Sequence, residues 1–134
     1  MNKKFSTICC LVAGAILFTG FGFKNVNDPW PVPEKYQKMA NPVKSDAASV
    51  SAGKSLWTKH CASCHGKSGH GDGTKAPTLK TQPGDFTKAE FKAQPDGSIF
   101  YKSLEGRKDM PGFKKKIPDE DDLWSVVNYI RTLK

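Results

Sequence analysis

Two cysteines three positions apart, followed at once by a histidine, are the residues of this chain best suited to carry chemistry. They are Cys61, Cys64 and His65, in the run KHCASCHG. On one tight helical turn, two thiols at this spacing can each add to a vinyl group on the same porphyrin edge. The adjacent imidazole then faces the iron from that side. The spacing therefore predicts one covalently attached haem c, with thioether bonds to Cys61 and Cys64 and with His65 as an iron ligand.

Two other kinds of site use cysteines at this spacing, a redox-active dithiol and one half of a zinc site. A thioredoxin-like pair requires a preceding strand within a βαβ unit, and the sequence has no such pattern. A zinc site requires a second pair of ligands, for which His60 and His70 are the only candidates. Haem attachment is therefore favoured over both.

The residue on the other side of the iron decides between electron transfer and ligand binding or peroxide chemistry. The candidates are Met39, His60, His70 and Met110. His60 directly precedes the attachment turn and His70 closely follows it, so neither is expected at the opposite haem face. Met39 lies in a proline-rich segment. Met110 lies much further along the chain, in a short loop stiffened by Pro111, and is the predicted second iron ligand.

A first helix is predicted to lead directly into this motif. Good helix formers run up to His60, and either Asp46 or Ser51 could cap their amino end. Gly53 and Trp57 are one turn apart and share the face of the haem site.

Two further helices are predicted after the motif, and no strand. One covers about 97–105, with Asp96 as its N-cap and Gly106 at its carboxyl end. The other begins in the acidic run 118–122, where the helix dipole favours negative charge. It carries one apolar stripe at helical spacing, made by Leu123, Val126, Val127, Ile130 and Leu133.

The chain between the first two helices is rich in glycine, which excludes regular structure and lets the backbone pass close to a flat ligand. A phosphate-binding loop is not favoured, because no strand precedes the run and it lacks the Lys-Ser/Thr ending. The glycines are Gly66, Gly69, Gly71 and Gly73.

A helical domain this small needs the haem for much of its core, so the apoprotein is predicted to be largely disordered.

The start of the chain has the order of a secretory signal, basic and then apolar and then small. Lys3 and Lys4 precede an apolar run over 5–23. A run of this length could also span a bilayer as a retained anchor. Residues 1–22 are therefore predicted to be a signal peptide, cleaved near Gly22, or an N-terminal membrane anchor. In either case the protein is expected in the periplasm or at the outer face of the cytoplasmic membrane.

Residues 23–45 contain four prolines, a density that prevents a long helix and favours extended backbone. This segment is predicted to be a spacer, which either holds the domain off the membrane or lies across the domain surface through Trp30 and Tyr36. The remaining residues, 46–134, form the predicted haem domain. The four prolines are Pro29, Pro31, Pro33 and Pro42.

The chain is basic, with 21 Lys and Arg against 13 Asp and Glu and a formal net charge of +8. A basic face of this kind can attract an acidic protein or an anionic membrane, or be a solvated surface only. Aromatic residues are not interleaved with the basic ones as a base-stacking surface would require, so nucleic acid is not an expected partner.

From about Ser45 to Lys134 the chain resembles the monohaem class I c-type cytochromes. The resemblance implies an all-α fold, a small helical bundle wrapped around one covalently attached haem. It does not extend to residues 24–45. Its motifs are CASCH at 61–65, APTL at 76–79, DMPGF at 109–113 and LWSVVNYIR at 123–131.

The resemblance also implies roles for individual residues. The carbonyl of Pro77 would accept a hydrogen bond from the ring N–H of His65 and fix its orientation. Leu79 and Ile130 would be apolar neighbours of the haem. Gly53 matches the family's glycine where the first and last helices cross.

The predicted function is one-electron transfer outside the cytoplasm between respiratory membrane complexes, by a carrier and not an enzyme. The expected donor is a quinol-oxidising complex, and the expected acceptor is a terminal oxidase or reductase. Two alternatives remain open: a haem c subunit of a larger membrane-bound oxidoreductase complex, and an open-site haem sensor or peroxidase. The lysines predicted to steer a partner toward the haem edge include Lys59, Lys67, Lys75 and Lys114.

Overall fold

The computed structural model describes residues 29–134, so the predicted signal or anchor at 1–22 lies outside the described residues. A 3-10 turn at Ala76–Thr78 lies between α3 and α4. No strand is present in the described part, which confirms the all-α prediction. None of its helices has the length and apolar character to cross a membrane. The helices are α1 Glu34–Gln37, α2 Ala47–His60, α3 Ala62–His65, α4 Ala89–Lys92, α5 Asp96–Glu105 and α6 Glu120–Thr132.

Helix α2 begins at a capping box on Asp46, one of the two predicted caps. The Asp46 carboxylate accepts from the backbone N–H of Ala48 at 3.1 Å and of Ser49 at 3.0 Å. In return, the Asp46 N–H donates to the Ser49 hydroxyl at 3.2 Å. A cap of this kind stabilises a helix by about 1 kcal/mol. The helix ends at His60, directly before the cysteine motif.

Helix α5 does not begin as predicted. Pro95 occupies the N-cap position and Asp96 is the first helical residue, so the prediction of Asp96 as N-cap is wrong. The Asp96 carboxylate instead accepts from Arg131 of α6, with Nε at 2.7 Å and Nη2 at 2.6 Å. Gly106 ends the helix with a φ of +72°, as its predicted position requires.

The core is centred on the packing of α2 against α6. Every residue of the predicted α6 stripe is buried, and Val127 is completely so. Phe100 of α5 stacks on Trp124 of α6 with ring centroids 4.1 Å apart. The core residues of α2, α5 and α6 are Trp57, Ile99, Phe100, Leu104, Leu123, Trp124, Val126, Val127 and Ile130.

The proline-rich segment packs against the helical domain in its described part. The Tyr36 ring lies 4.7 Å from the Tyr101 ring of α5, centroid to centroid. The Asn41 side-chain amide donates to the Asn128 side-chain oxygen of α6 at 2.8 Å. Of the two arrangements expected for this segment, the described residues adopt the one that lies across the domain surface.

Candidate functional site

A cavity of about 300 Å³ lies between α2, α5 and α6 and the loops that connect them. Its wall includes all but one of the predicted site residues. The exception is Pro77, which is exposed in the 3-10 turn and does not line the cavity. The predicted site residues that line the cavity are Cys61, Cys64, His65, Leu79, Met110 and Ile130.

Cys64 lies in the single turn of α3, and Cys61 occupies the N-cap position of that turn. The backbone N–H groups of Cys64 and His65 both donate to the Cys61 carbonyl, at 3.1 and 3.0 Å. The two cysteines do not form a disulfide. Burial, with a smaller contribution from Cys64, raises the pKa of Cys61 to about 12. Cys61 therefore presents a neutral thiol to the cavity at neutral pH.

The glycine-rich loop folds back onto this turn. The N–H of Gly73 donates to the Cys64 carbonyl at 3.1 Å, and the N–H of Lys75 donates to the Ser63 carbonyl at 2.8 Å. A Cβ on Gly73 would lie about 2.5 Å from the Ser63 and Cys64 backbone, so only glycine fits there. The loop thereby satisfies carbonyl groups that a one-turn helix leaves without partners.

Aromatic rings surround the imidazole of His65. The ring centroid of Phe86 lies 4.6 Å from that of His65, and the ring of Trp57 lies 5.8 Å away. The Trp57 indole N–H donates to the Gly66 carbonyl at 3.1 Å, which fixes the indole beside the attachment turn. Burial lowers the pKa of His65 to about 4. The imidazole is therefore neutral at physiological pH, the form that binds a metal ion.

The Nδ1 atom of His65 is buried and has no hydrogen-bond partner among the described residues. The predicted hydrogen bond to the Pro77 carbonyl is therefore not formed. Buried polar atoms in native proteins are nearly always paired, because leaving one unpaired costs about 1–3 kcal/mol. An unpaired, neutral imidazole beside two thiols in an apolar cavity fits the donor set that an iron porphyrin requires.

Met110 is half-buried in the cavity wall, in the loop after α5. Its backbone is tied to Arg107 by a reciprocal pair of hydrogen bonds, 2.8 Å from Arg107 N–H to Met110 carbonyl and 3.0 Å in the reverse sense. The N–H of Phe113 donates to the carbonyls of Ser103 and Leu104 on α5, at 3.0 and 3.1 Å. These bonds hold the loop firmly against the domain.

The three other candidates for the second iron ligand differ in position. Met39 is 38% exposed and lies outside the cavity. His70 also lies outside it, with Nδ1 3.4 Å from a carboxylate oxygen of Asp85. His60 does line the cavity and meets the ring of Phe113 edge-on at 6.0 Å. Met110 and His60 are therefore the candidates that share a cavity with His65.

Sequence reasoning missed the part that loop aromatic residues have in this wall. The Phe86 ring stacks on the Phe91 ring at 4.0 Å between centroids, and its centroid also lies 4.6 Å from that of the His65 ring. Trp30, from the proline-rich segment, also lines the cavity. The available signal was the presence of large aromatic residues in stretches that are otherwise polar or rich in proline.

The sequence profile of the Cytochrome c family matches residues 50–134. The chain belongs to the cytochrome c family. Its cofactor is therefore a covalently bound haem c with its iron, and Cys61 and Cys64 fit the attachment motif of that family.

Solved structures with this fold include several c-type cytochromes. A chain of the Kuenenia stuttgartiensis reducing HAO-like protein complex is 26% identical with a TM-score of 0.63, over 69% of this cytochrome and 46% of that chain. The present chain thus spans less than half the length of that relative. The c-type cytochrome KustC0563 is 28% identical with a TM-score of 0.54, over 61% of this chain and 96% of its own.

Cytochrome cL from Hyphomicrobium denitrificans is 18% identical with a TM-score of 0.52, over 81% of this chain and 61% of its own. At that identity the likeness supports the fold alone. No curated protein matches the sequence.

Proposed function

We propose that this cytochrome is a one-electron carrier whose haem iron is held by His65 and Met110. The observation that carries the proposal is that these two side chains, far apart in the sequence, line one cavity together with the two cysteine thiols. When bound, the haem supplies an iron that takes up and releases a single electron.

The chain's own residues hold and shield that group. Cys61 and Cys64 fix one edge of it by thioether bonds, and the rings of Phe86 and Trp57 set the orientation of His65. Leu79 and the buried Ile130 add apolar wall that excludes water. A dry and rigid wall suits electron transfer, because little must rearrange when the charge changes. The remaining apolar lining includes Ile99, Phe113, Ile117, Leu123 and Val126.

The proposed thioether ligand also affects the reduction potential of the iron. Sulfur ligation by Met110 favours the reduced iron and raises the reduction potential above that of a bis-histidine site. A carrier of this kind delivers electrons toward a terminal acceptor. We therefore propose a quinol-oxidising complex as donor, a terminal oxidase or reductase as acceptor, and a location in the periplasm or at the outer face of the cytoplasmic membrane. The signal-like run at 1–22 supports that location.

The ligand assignment is tested by replacing Met110 with alanine in the matured protein. Met110→Ala removes the sulfur, so carbon monoxide should bind rapidly to the reduced variant and cyanide to the oxidised variant. The parent protein should bind both slowly. Met39→Ala is the matched control for loss of a thioether, and His60→Ala tests the other candidate in the cavity. Rapid binding by the parent would support an open-site sensor or peroxidase, and binding by His60→Ala alone would transfer the assignment to His60.

A second candidate function is a haem c subunit of a larger membrane-bound oxidoreductase complex. It is supported by the likeness to a chain of the reducing HAO-like protein complex. Extraction of the protein from its native membrane or periplasm, followed by native mass measurement, separates the two candidates. A free monomer supports the carrier, whereas a stable assembly with other chains supports the subunit.

The proposed export is tested by the intact mass of the matured protein. Cleavage near Gly22 would remove the mass of the first residues, and one attached haem would add its own mass. A product that keeps residues 1–22 would favour the membrane anchor instead.

A further inference from the structure

The proline-rich segment contributes to the cavity as well as to the domain surface. Trp30 lines the cavity, although it lies well before residue 50, where the match to the family begins. The wall of this haem site is therefore built partly from chain outside the family's own domain.

Three separate contacts dock this segment onto the domain. The Arg107 guanidinium donates to the Pro29 carbonyl at 2.9 Å. The Tyr36 carbonyl lies against Gly97 of α5 so closely that a Cβ there would overlap it. Asn41 bonds to the buried Asn128 of α6. Contacts at three places along the segment give Trp30 a defined position.

The Trp30 ring gathers two cations at the cavity. The Lys102 ammonium lies 5.7 Å from the ring centroid and the Arg107 guanidinium carbon lies 5.5 Å from it, both within reach of a cation–π interaction. Both residues also line the cavity. The Trp30 ring thus lies close to two positive charges beside the space that takes the porphyrin.

Lys102 and Arg107 lie side by side in the cavity wall. Lys102 is half-buried and donates to the side-chain oxygen of Gln94. Burial, and then the charge of Arg107, lower the pKa of Lys102. The charged form of Lys102 is therefore less stable here than in water. Among the described residues that line the cavity, Asp109 is the one acid, and its carboxylate accepts from the Thr81 N–H at 2.8 Å.

We propose that residues 29–43 are part of the haem pocket and that Trp30, Lys102 and Arg107 form its subsite for the two haem propionates. A porphyrin of this type brings two carboxylates into an apolar cavity, and partly buried carboxylates require cationic or hydrogen-bonding partners. Trp30 covers the two cations and limits their hydration. The inference depends on the presence of haem c and is independent of which residues ligate the iron.

The subsite has a measurable electronic consequence. Positive charge close to the haem stabilises the state that has gained an electron, and low local hydration strengthens that effect. The subsite therefore raises the reduction potential. Loss of either cation should lower it.

The test of the cations uses the matured full-length protein and a spectroelectrochemical titration. Lys102→Gln and Arg107→Gln should each lower the potential, and the double variant should lower it further. Lys102→Arg keeps the charge and should stay close to the parent. Lys54→Gln removes one charge from an exposed residue outside the cavity, so it is the matched control. A double variant that shifts no more than Lys54→Gln would overturn the proposal.

The test of the covering ring is independent of the cations. Trp30→Ala should lower the reduction potential, because water then screens Lys102 and Arg107. Trp30→Phe keeps an aromatic ring, so its reduction potential should stay close to that of the parent. This arm also decides the matter if the cation variants take up no haem. An unchanged potential in Trp30→Ala, with normal haem content, would show that the segment is not part of the pocket.

Discussion

Gly53 of α2 lies directly against the backbone carbonyl of Ser125 of α6. A Cβ at Gly53 would overlap that carbonyl oxygen and would lie 3.0 Å from the Cβ of Tyr129. The two longest helices of the described chain therefore approach each other to backbone contact. This close approach fixes the position of α2 against α6, and therefore the position of the cysteine motif relative to the cavity.

Gly53→Ala should destabilise the matured protein, although alanine is the better helix former by about 1 kcal/mol. The added methyl group has no space unless α2 and α6 separate, and overpacking of this kind costs roughly 1–3 kcal/mol. Thermal and urea unfolding measure the change. Ser51→Ala, on the exposed side of the same helix, is the control and should be neutral or slightly stabilising. Equal stability of both variants would contradict the close crossing.

Asn128 is the second site where one substitution should have a large effect. It is 3% exposed, and its amide donates to the carbonyls of Val43 and Lys44 and to the Ser49 hydroxyl, at 3.1 to 3.3 Å. Its oxygen accepts from Asn41. Asn128→Ala removes these hydrogen bonds from a buried site and should cost roughly 2–3 kcal/mol.

The same substitution should release the proline-rich segment. Limited proteolysis should cut Asn128→Ala between residues 29 and 45 faster than the parent, with the fragments identified by mass. Asn41→Ala, which removes one of the bonds, should give an intermediate rate. A parent-like digestion pattern in both variants would mean that the aromatic and Trp30 contacts hold the segment without this network.

Loss of the haem should unfold most of the domain. The cavity is lined by side chains that would otherwise face water, so the apoprotein loses the burial that stabilises the fold. Cys61→Ser/Cys64→Ser prevents attachment and should show much weaker helical circular dichroism than the matured protein. A fully helical double variant would show that the polypeptide core is sufficient by itself.

Acid should reduce the folded fraction of that apoprotein further. Burial lowers the pKa of His65 to about 4 in the folded chain, whereas the ordinary value for an exposed histidine is 6.5. The unfolded state takes up the proton first, so folding weakens as the pH falls from about 6.5 to about 4, by up to roughly 3 kcal/mol. Circular dichroism across that range should show the decline, and His65→Phe should remove that part of it. A decline that is unchanged in His65→Phe would assign the effect to other groups.

The sequence predicted the parts of this molecule that depend on local pattern. The α6 stripe, the cap at Asp46 and the thiol–imidazole motif each follow from spacing along one element, and the described residues confirm the stripe and the cap. Asp96 was predicted wrongly because capping is judged from neighbours in sequence, whereas its partner is Arg131 at the far end of the chain. A long-range ion pair leaves no local signature.

The wall of the cavity was harder to predict for the same reason. Phe86 and Trp30 lie in stretches without periodicity, so nothing in the sequence indicates which way their rings face. The position of His60 on the wall also depends on how α2 is set by the crossing at Gly53. Motifs give the chemical groups of a site, but tertiary packing decides which other side chains enclose it.

Exposed lysines near the attachment turn should govern the rate at which charged reactants meet the haem. Lys59, Lys67, Lys75 and Lys114 are all exposed, and the chain carries a formal net charge of +8. Oxidation of the reduced protein by ferricyanide, an anion, should slow as ionic strength rises, because salt screens the attraction. Oxidation by a cationic cobalt complex should become faster as ionic strength rises.

The docking role is tested with two sets of variants. Replacing these four lysines by glutamine should weaken both salt dependences more than replacing four other exposed lysines does. The control set, with the same loss of net charge, is Lys35, Lys38, Lys44 and Lys54. Stopped-flow rates over a range of salt concentrations measure the slopes, and equal slopes for the two sets would mean that only net charge matters and that these lysines do not form a docking face.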